Sequence, residues 1–265
     1  MKLLVSDLDG TLLTKDKQIT AGVRESLEKW RAEGNSFVIS TGRLFPSAAY
    51  YREELGMQAE LVCCSGAVIY RGEDVVMEHS VDPLLAERLW HICSKRGVYA
   101  QYYSYNSLIA NQDGEFMKGY RKGNSFRQAS HQVQLEVRKK LHVKEPIHKI
   151  SFITWDPAEA QDILKEMQPL KGVHVFRSLA YLYDIISDES SKGSSARYLK
   201  ETMGAKKLYG IGDNENDVDL LREADHSACM ASAPESVLAH ADVIVPDSEE
   251  DGVAVYIDSI LRGEY

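Results

Sequence analysis

The sequence predicts an α/β fold built on a parallel sheet and interrupted by an α+β insertion, and three observations carry that prediction. Short bounded apolar runs near both ends of the chain, Leu3-Leu4-Val5 and Leu208-Tyr209-Gly210-Ile211, have the character of central parallel strands. Between strands the spacing is helical: Ile19, Val23, Leu27 and Trp30 recur on one face, and Gly34 stops the helix before Phe37-Val38-Ile39. From about Val75 to Ile186 this alternation gives way to longer aromatic and β-branched runs.

The first unit is therefore βαβ. A second helix starts near Pro46, where proline suits the first turn, and ends near Gly56 before Leu61-Val62-Cys63. Within the insertion, which follows the third strand, Val98 to Tyr105, Ile147 to Trp155 and Val173 to Phe176 predict strands of an antiparallel sheet with helices between them. Helical spacing resumes after Lys192 with Ala196, Leu199 and Met203. Strands near Leu208 to Ile211, Ser227 to Met230 and Val243 to Val245 then complete the sheet. Val218, Leu221 and Ala224 predict the apolar stripe of a short helix whose polar face carries Asp219, Glu223 and Asp225. Glu249-Glu250-Asp251 reads as an acidic helix start. The expected organisation is a discontinuous core of residues 1–80 and 188–265 and an insertion of residues 81–187, with hinges near His79 to Pro83 and Ile186 to Ser190.

With 265 residues, 44% apolar and 27% charged, the chain exceeds one typical domain and has the composition of a soluble enzyme. Its net charge of −9 argues against nucleic acid as a partner, which needs clustered lysine and arginine. The basic run Arg138-Lys139-Lys140 is flanked by Glu136 and Glu145 and reads as a solvated helix face. Cys63, Cys64, Cys93 and Cys229 show no Cys-x-x-Cys spacing and read as small buried hydrophobes in a reducing cytoplasm. No signal-like segment opens the chain, and no apolar stretch approaches the roughly 20 residues needed to span a bilayer. A cytoplasmic protein with no membrane and no obligate protein partner is the expectation. The eight histidines include no His-x-x-x-His pair, which speaks against a zinc site.

The chemistry lies in two acidic clusters, Asp7-Leu8-Asp9-Gly10-Thr11 and Gly212-Asp213-Asn214-Glu215-Asn216-Asp217, each directly after an apolar strand. Both therefore sit past strand carboxyl ends, where open α/β sheets bind ligands. Taken singly, Asp7 and Asp9 would be an ordinary solvated loop. If the two strands are neighbours, at least three carboxylates converge, and their repulsion is tolerable only with a hard cation between them, for which Mg²⁺ is the natural candidate. Gly10 permits a tight exit from the strand, and Thr11 can hold the turn. Glu215 is expected to face solvent.

Four segments, Asp7-Leu8-Asp9-Gly10-Thr11-Leu12-Leu13, Ser40-Thr41-Gly42-Arg43, Ser191-Lys192-Gly193 and Gly212 to Asp217, resemble in order and spacing the motifs of the haloacid dehalogenase-like hydrolases. The chain looks most like their Cof-type sugar-phosphatase branch with a type IIB cap. Ser232-Ala233-Pro234-Glu235 and Glu250-Asp251-Gly252-Val253-Ala254 extend the similarity at the C-terminal end, while the middle matches loosely. The resemblance implies a Rossmann-like core with the insertion as a cap, and a Mg²⁺-dependent phosphatase acting on a small phosphorylated metabolite, a sugar phosphate by family. It implies that Asp7 is the nucleophile and Asp9 the general acid and base. Asp7, Asp9 and Asp213 would hold the metal, with Asp217 in its outer shell. Phosphate would be met by the Leu8 backbone, Thr41, Gly42, Lys192 and Asn216.

Arg43 is left to contact substrate or fix its own loop. Tyr102, Tyr103, Tyr105, Lys118, Tyr120, Arg121 and Tyr181 are candidates to line the leaving-group pocket, although strand aromatics more often form core. Two positions depart from the family pattern, Ser65 and Ser232 standing where asparagine is usual. The rival readings are a phosphomutase using the same intermediate and a noncatalytic phosphometabolite-binding module. Asp9 argues against the second.

Overall fold

The computed structural model describes residues 1–57, 59–169 and 171–265. The N-terminal part contributes β1 (Lys2–Ser6), α1 (Ala21–Ala32), β2 (Ser36–Ser40), α2 (Phe45–Glu54), β3 (Leu61–Cys63), β4 (Val68–Arg71) and β5 (Asp74–Glu78). The middle contributes α3 (Pro83–Arg96), β6 (Tyr99–Ser104), β7 (Ser107–Ala110), α4 (Glu115–Ser125), β8 (Gln134–Val137), β9 (Lys149–Ile153), α5 (Pro157–Glu166), β10 (Val173–Leu179) and β11 (Leu182–Ser187). The chain then returns through α6 (Lys192–Thr202), β12 (Lys207–Gly212), α7 (Val218–Glu223), β13 (His226–Met230), α8 (Glu235–Leu238), β14 (Val243–Val245) and α9 (Gly252–Leu261).

Among the described residues the first sheet runs β14-β13-β12-β1-β2-β3-β4-β5 and the second β10-β11-β9-β6-β7-β8. From β14 to β3 the first sheet is parallel. The period of two along β1 explains its place. Leu4 joins a cluster with Trp30 of α1 and Ile257 of α9 on one face, while Leu3 and Val5 join Ala196, Leu199 and Leu220 on the other. A strand covered on both faces must be apolar where it is covered, as Leu3-Leu4-Val5 is. Trp30 fits this core without an orphaned donor, because its indole N–H donates to Ser36 O at 2.8 Å.

The second sheet is apolar on one face only. Tyr102, Ile150, Phe152 and Ile185 pack against Leu89 and Trp90 of α3 and Ile163 of α5. Gln101, Tyr103, Lys149, Ser151 and Asp184 alternate with them in sequence and form a buried polar face. That face meets the first sheet: Lys149 Nζ donates to Gly42 O at 2.8 Å, and Asn214 Nδ2 donates to Ser178 O at 3.1 Å. The segments joining the two sheets lie side by side, tied by His79 Nδ1 and Glu189 Oε2 at 3.0 Å.

The α/β parallel core with an inserted α+β cap is thus present, with four differences of detail. The insertion leaves after β5 rather than after the third strand, because β4 and β5 extend the first sheet as antiparallel strands. The short helix after Gly212 buries Leu220 and Leu221, while Ala224 already has extended backbone, so its apolar face is turned from the expected stripe. Arg138 follows a strand, not a helix, and pairs with Glu136 and Glu145. The final helix starts at Gly252, one position after the acidic triplet, where Asp251 is left-handed. All four cysteines are buried free thiols. Among the described residues, no helix is long and apolar enough to cross a membrane.

Candidate active site

Strand register sets the site. β1 and β12 are neighbours with Ser6 opposite Ile211, and Asp7 N donates to Ile211 O at 3.0 Å, so Asp7 and Asp213 emerge at the same sheet edge. β2 ends one strand over, where Thr41 N donates to Val62 O at 2.9 Å. Lys192 opens α6, whose start is fixed by a reciprocal cap between Ser191 and Ser194. The turn after β3 presses against that start: a Cβ at Gly66 would lie 2.1 Å from Ser191 O, and its φ of +98° is one that only glycine adopts freely.

One oxygen from each of Asp7, Asp213 and Asp217 lies within 4.8 Å of the others. Lys192, 1% exposed, lies among them and donates to Asp7 Oδ1 and, at 2.5 Å, to Asp217 Oδ1. Asp217 Oδ2 accepts from Asp213 N at 3.1 Å and Asn214 N at 3.0 Å, and Asp213 Oδ1 accepts from Thr11 Oγ1 at 2.7 Å. One ammonium does not balance three carboxylates. Burial, against which Lys192 works, together with the charges of Asp217 and Asp213, holds the Asp7 carboxyl well above the usual carboxylate range. Burial and the Asp217 charge push Asp213 up to about 6. A cluster of hard oxygen donors short of positive charge fits a divalent cation such as Mg²⁺.

Gly10 leaves room for this arrangement. Its φ is +87°, and a Cβ there would stand 2.6 Å from Asp213 Oδ2. Gly10→Ala is expected to destabilise the fold by about 1–3 kcal/mol through backbone strain and to displace Asp213. Thermal melting and divalent-metal titration check this; unchanged values for both would contradict the packing described.

The Asp9 carboxylate is not brought into the group. Arg43 grips it from Nε and Nη2, both at 2.6 Å, and Lys17 Nζ adds a third contact at 2.7 Å. Burial opposes its charge, but these two cations prevail and hold its pKa well below the usual range. The third side-chain carboxylate of the group is thus that of Asp217 and not that of Asp9. The two guanidinium contacts and the ammonium offer Asp9 a more favourable partner set than three like charges would.

The other expected residues converge by segment. Leu8 buries its side chain in the core. Thr41 Oγ1 accepts from Arg43 N at 3.3 Å, and Gly42 O is held by Lys149. Asn216 and Lys192 line a cavity of about 260 Å³ together with Ser65, whose buried hydroxyl has no partner among the described residues, while Glu215 is exposed. Ser232 N donates to Asp247 Oδ1 at 2.8 Å, a local loop tie.

Of the cap candidates, Tyr120 lines a cleft of about 440 Å³ between α4 and the loop after β2. Tyr103 lies under Lys149, 4.2 Å from its ring centroid. Tyr102 turns the other way onto Trp90, Tyr105 packs on His148 and Tyr181 on Trp155. Lys118 and Arg121 are exposed and paired with Glu115 and Asp113.

Lys17 and Lys149 escaped the sequence reading. Lys17 reaches Asp9 from a tight turn in which it has φ +60°, a conformation that local sequence does not announce. Lys149 carried a signal: it is a lysine within the apolar run Ile147 to Ile153, and it lies 3.6 Å from Asp184.

Comparison with known proteins agrees with this geometry. The family model for haloacid dehalogenase-like hydrolases matches residues 4–257. The 5-amino-6-(5-phospho-D-ribitylamino)uracil phosphatase YwtE of Bacillus subtilis is 23% identical, with 100% of both chains covered. The pyridoxal phosphate phosphatase YbhA of Escherichia coli is 23% identical, with 98% of each covered. In fold, the chain matches the structure of the HAD subclass IIB sugar phosphatase BT4131 with a TM-score of 0.82 at 20% identity, over 98% of this chain and 99% of that one. With the family model spanning nearly the whole chain and the four motif segments meeting at one sheet edge, the chain belongs to the haloacid dehalogenase-like hydrolase family, in its Cof-type phosphatase branch.

Proposed function

We propose that the protein is a Mg²⁺-dependent phosphatase that hydrolyses a small phosphorylated metabolite, a sugar phosphate or a compound of similar size, through an aspartyl-phosphate on Asp7. The observation that carries this reading is the carboxylate nest of Asp7, Asp213 and Asp217 closed by Lys192, with Asp9 two residues from the nucleophile. Two relatives are named for phosphorylated small molecules, which supports the substrate class.

In the first step an Asp7 carboxylate oxygen attacks phosphorus, the bond to the leaving oxygen breaks, and Asp9 gives that oxygen its proton. For this Asp9 first leaves the grip of Arg43 and Lys17, which hold it ionised, and takes up a proton from solvent, the proton that it then passes to the leaving oxygen. In the second step Asp9 takes a proton from water, whose oxygen attacks phosphorus, and Asp7 is restored as inorganic phosphate departs. Lys192 and the Thr41–Gly42 turn face the phosphoryl oxygens, and Lys192 balances their charge throughout. Asp7, Asp213 and Asp217 are the residues that would hold Mg²⁺, which when bound would supply Lewis-acid neutralisation of the phosphoryl group. The division of labour follows residues 1–80 and 188–265 as catalytic core and 81–187 as cap, which excludes water and selects the leaving group.

Incubation with hexose phosphates tests the reading: inorganic phosphate released with Mg²⁺ and lost with EDTA is expected, whereas an isomeric sugar phosphate identifies a mutase. Metal binding has its own signature. A carboxylate whose folded pKa is raised favours the fold below its unfolded pKa and weakens it as pH rises through the folded value, about 6 for Asp213. Mg²⁺ is therefore expected to raise Tm at pH 7.5, by the equivalent of about 2.7 kcal/mol at a hundredfold excess over Kd, and far less at pH 5.0, where protons occupy its ligands. The difference between scans with and without Mg²⁺ cancels the groups remote from the site. An equal gain at both pH values would refute the assignment.

A further inference from the structure

We infer that the cleft beside Asp9 accepts a leaving group bearing a second negative charge, so that the substrate is a phosphate monoester with a further acidic group, which Arg127 and Arg43 bind. This rests on the phosphatase reading above and narrows its substrate class.

The cleft, about 440 Å³, lies between the core segment from Arg43 to Tyr51 and the cap segment from Glu115 to Arg127. Its position follows from Asp9: Lys17 and Arg43, which line the cleft, are the two groups that hold the proposed proton donor, so a leaving oxygen at Asp9 has the rest of its group inside this space. Tyr51, Phe116 and Tyr120 give the walls a face onto which a ring or the apolar side of a sugar packs.

The charge is the telling feature. Three cations line one cleft of a chain whose net charge is −9. Asp9 is shared between two of them, and Glu115 is exposed and turned to Lys118. Arg127 is left over: among the described residues no carboxylate pairs with it, and its neighbours are Tyr51 and the like charge of Arg43. Burial and the Arg43 charge both work against its protonated form. Two guanidiniums lining one cleft, near enough for the charge of one to bear on the other, and one of them without a carboxylate partner, form an arrangement that an anion completes. A neutral leaving group of the same size would leave Arg127 uncompensated.

A matched pair of esters reads this out: phenyl phosphate and 4-carboxyphenyl phosphate, with Mg²⁺, followed by phosphate release for the native protein and for Arg127→Ala and Arg127→Lys. A charge-assisted contact predicts a kcat/KM about tenfold higher for the carboxylated ester in the native protein. That ratio falls to about one in Arg127→Ala and recovers in part in Arg127→Lys, a pattern that a folding defect, lowering both esters alike, does not give. Turnover of both esters with no preference, or a preference that survives Arg127→Ala, overturns the inference and leaves the phosphatase reading standing. Release of phosphate from neither ester overturns both.

Discussion

Asp7→Asn is expected to abolish phosphate release, lowering kcat by on the order of 10⁴-fold or more, while the protein melts at the same temperature or higher in metal-free buffer at pH 7.5. The first part follows from chemistry: an amide oxygen in place of the carboxylate cannot form the covalent intermediate, and losing a nucleophile costs far more than losing one binding contact. The second part follows from electrostatics. Asp7 is 6% exposed, and burial outweighs the help it receives from Lys192, while Asp217 and Asp213 add repulsion. A carboxyl whose folded pKa is raised is, once ionised, a burden on the native state, and above that pKa a neutral isostere relieves it. Lys192 keeps its contact with Asp217 in the variant, so no buried cation is orphaned. Phosphate assay and calorimetry on one preparation decide the matter. A variant that keeps more than a few per cent of turnover would show that Asp7 is not the proposed nucleophile, and one that melts at a clearly lower temperature would show that the Asp7 charge is no burden on the fold.

The difference between what the sequence disclosed and what it withheld follows the range of the interactions involved. Asp7, Thr41 and Asp213 were legible because each lies one or two residues past an apolar run, and the end of a parallel strand is a local property of the chain. Lys192 was legible through its place at a helix start and through the order of the motifs. Asp217 was legible as a member of the cluster, but the turn Glu215–Asp217, which folds its carboxylate back onto the amides of Asp213 and Asn214, was not.

The grip on Asp9 was not legible at all. It needs Lys17 in a left-handed turn and Arg43 brought across from the neighbouring strand, and neither position is fixed by local periodicity. Lys149 reaches Gly42 only because the polar face of the second sheet docks on the core, a tertiary event. The hairpin of β4 and β5 was absorbed into the apparent break because its two short strands follow one another without a helix between them and pair antiparallel, which interrupts the β/α alternation. Arg127 lies in a segment without period or motif, so only the cleft singles it out.

Lys192→Met is expected to destabilise the protein by about 3–5 kcal/mol at pH 7.5, a fall in Tm of about 10 °C for a chain of this size, besides removing activity. Methionine fills nearly the same volume, so the loss measures charge and not a cavity. Removing the ammonium leaves Asp7 and Asp217 buried with no cation between them, and breaking a buried pair in this way is costly because the partner charges stay. The pH dependence distinguishes this cause from others. Burial opposes the lysine charge, but Asp217 and Asp7 overcome it and raise its pKa, so its contribution is fully present at neutral pH and is lost only as pH rises through that raised value. In the variant the penalty lies on the buried carboxylates of the nest, where burial and repulsion hold Asp7 well above the usual carboxylate range and push Asp213 up to about 6, so that falling pH relieves it. The deficit in Tm should therefore shrink between pH 7.5 and pH 5.0, and added Mg²⁺ should recover part of it at pH 7.5 by supplying the missing positive charge. Melting curves at the two pH values, each with Mg²⁺ and with EDTA, measure all four terms. A deficit of the same size at both pH values, untouched by Mg²⁺, would mean that Lys192 supports the fold by packing alone and would remove the electrostatic basis on which the site is assigned.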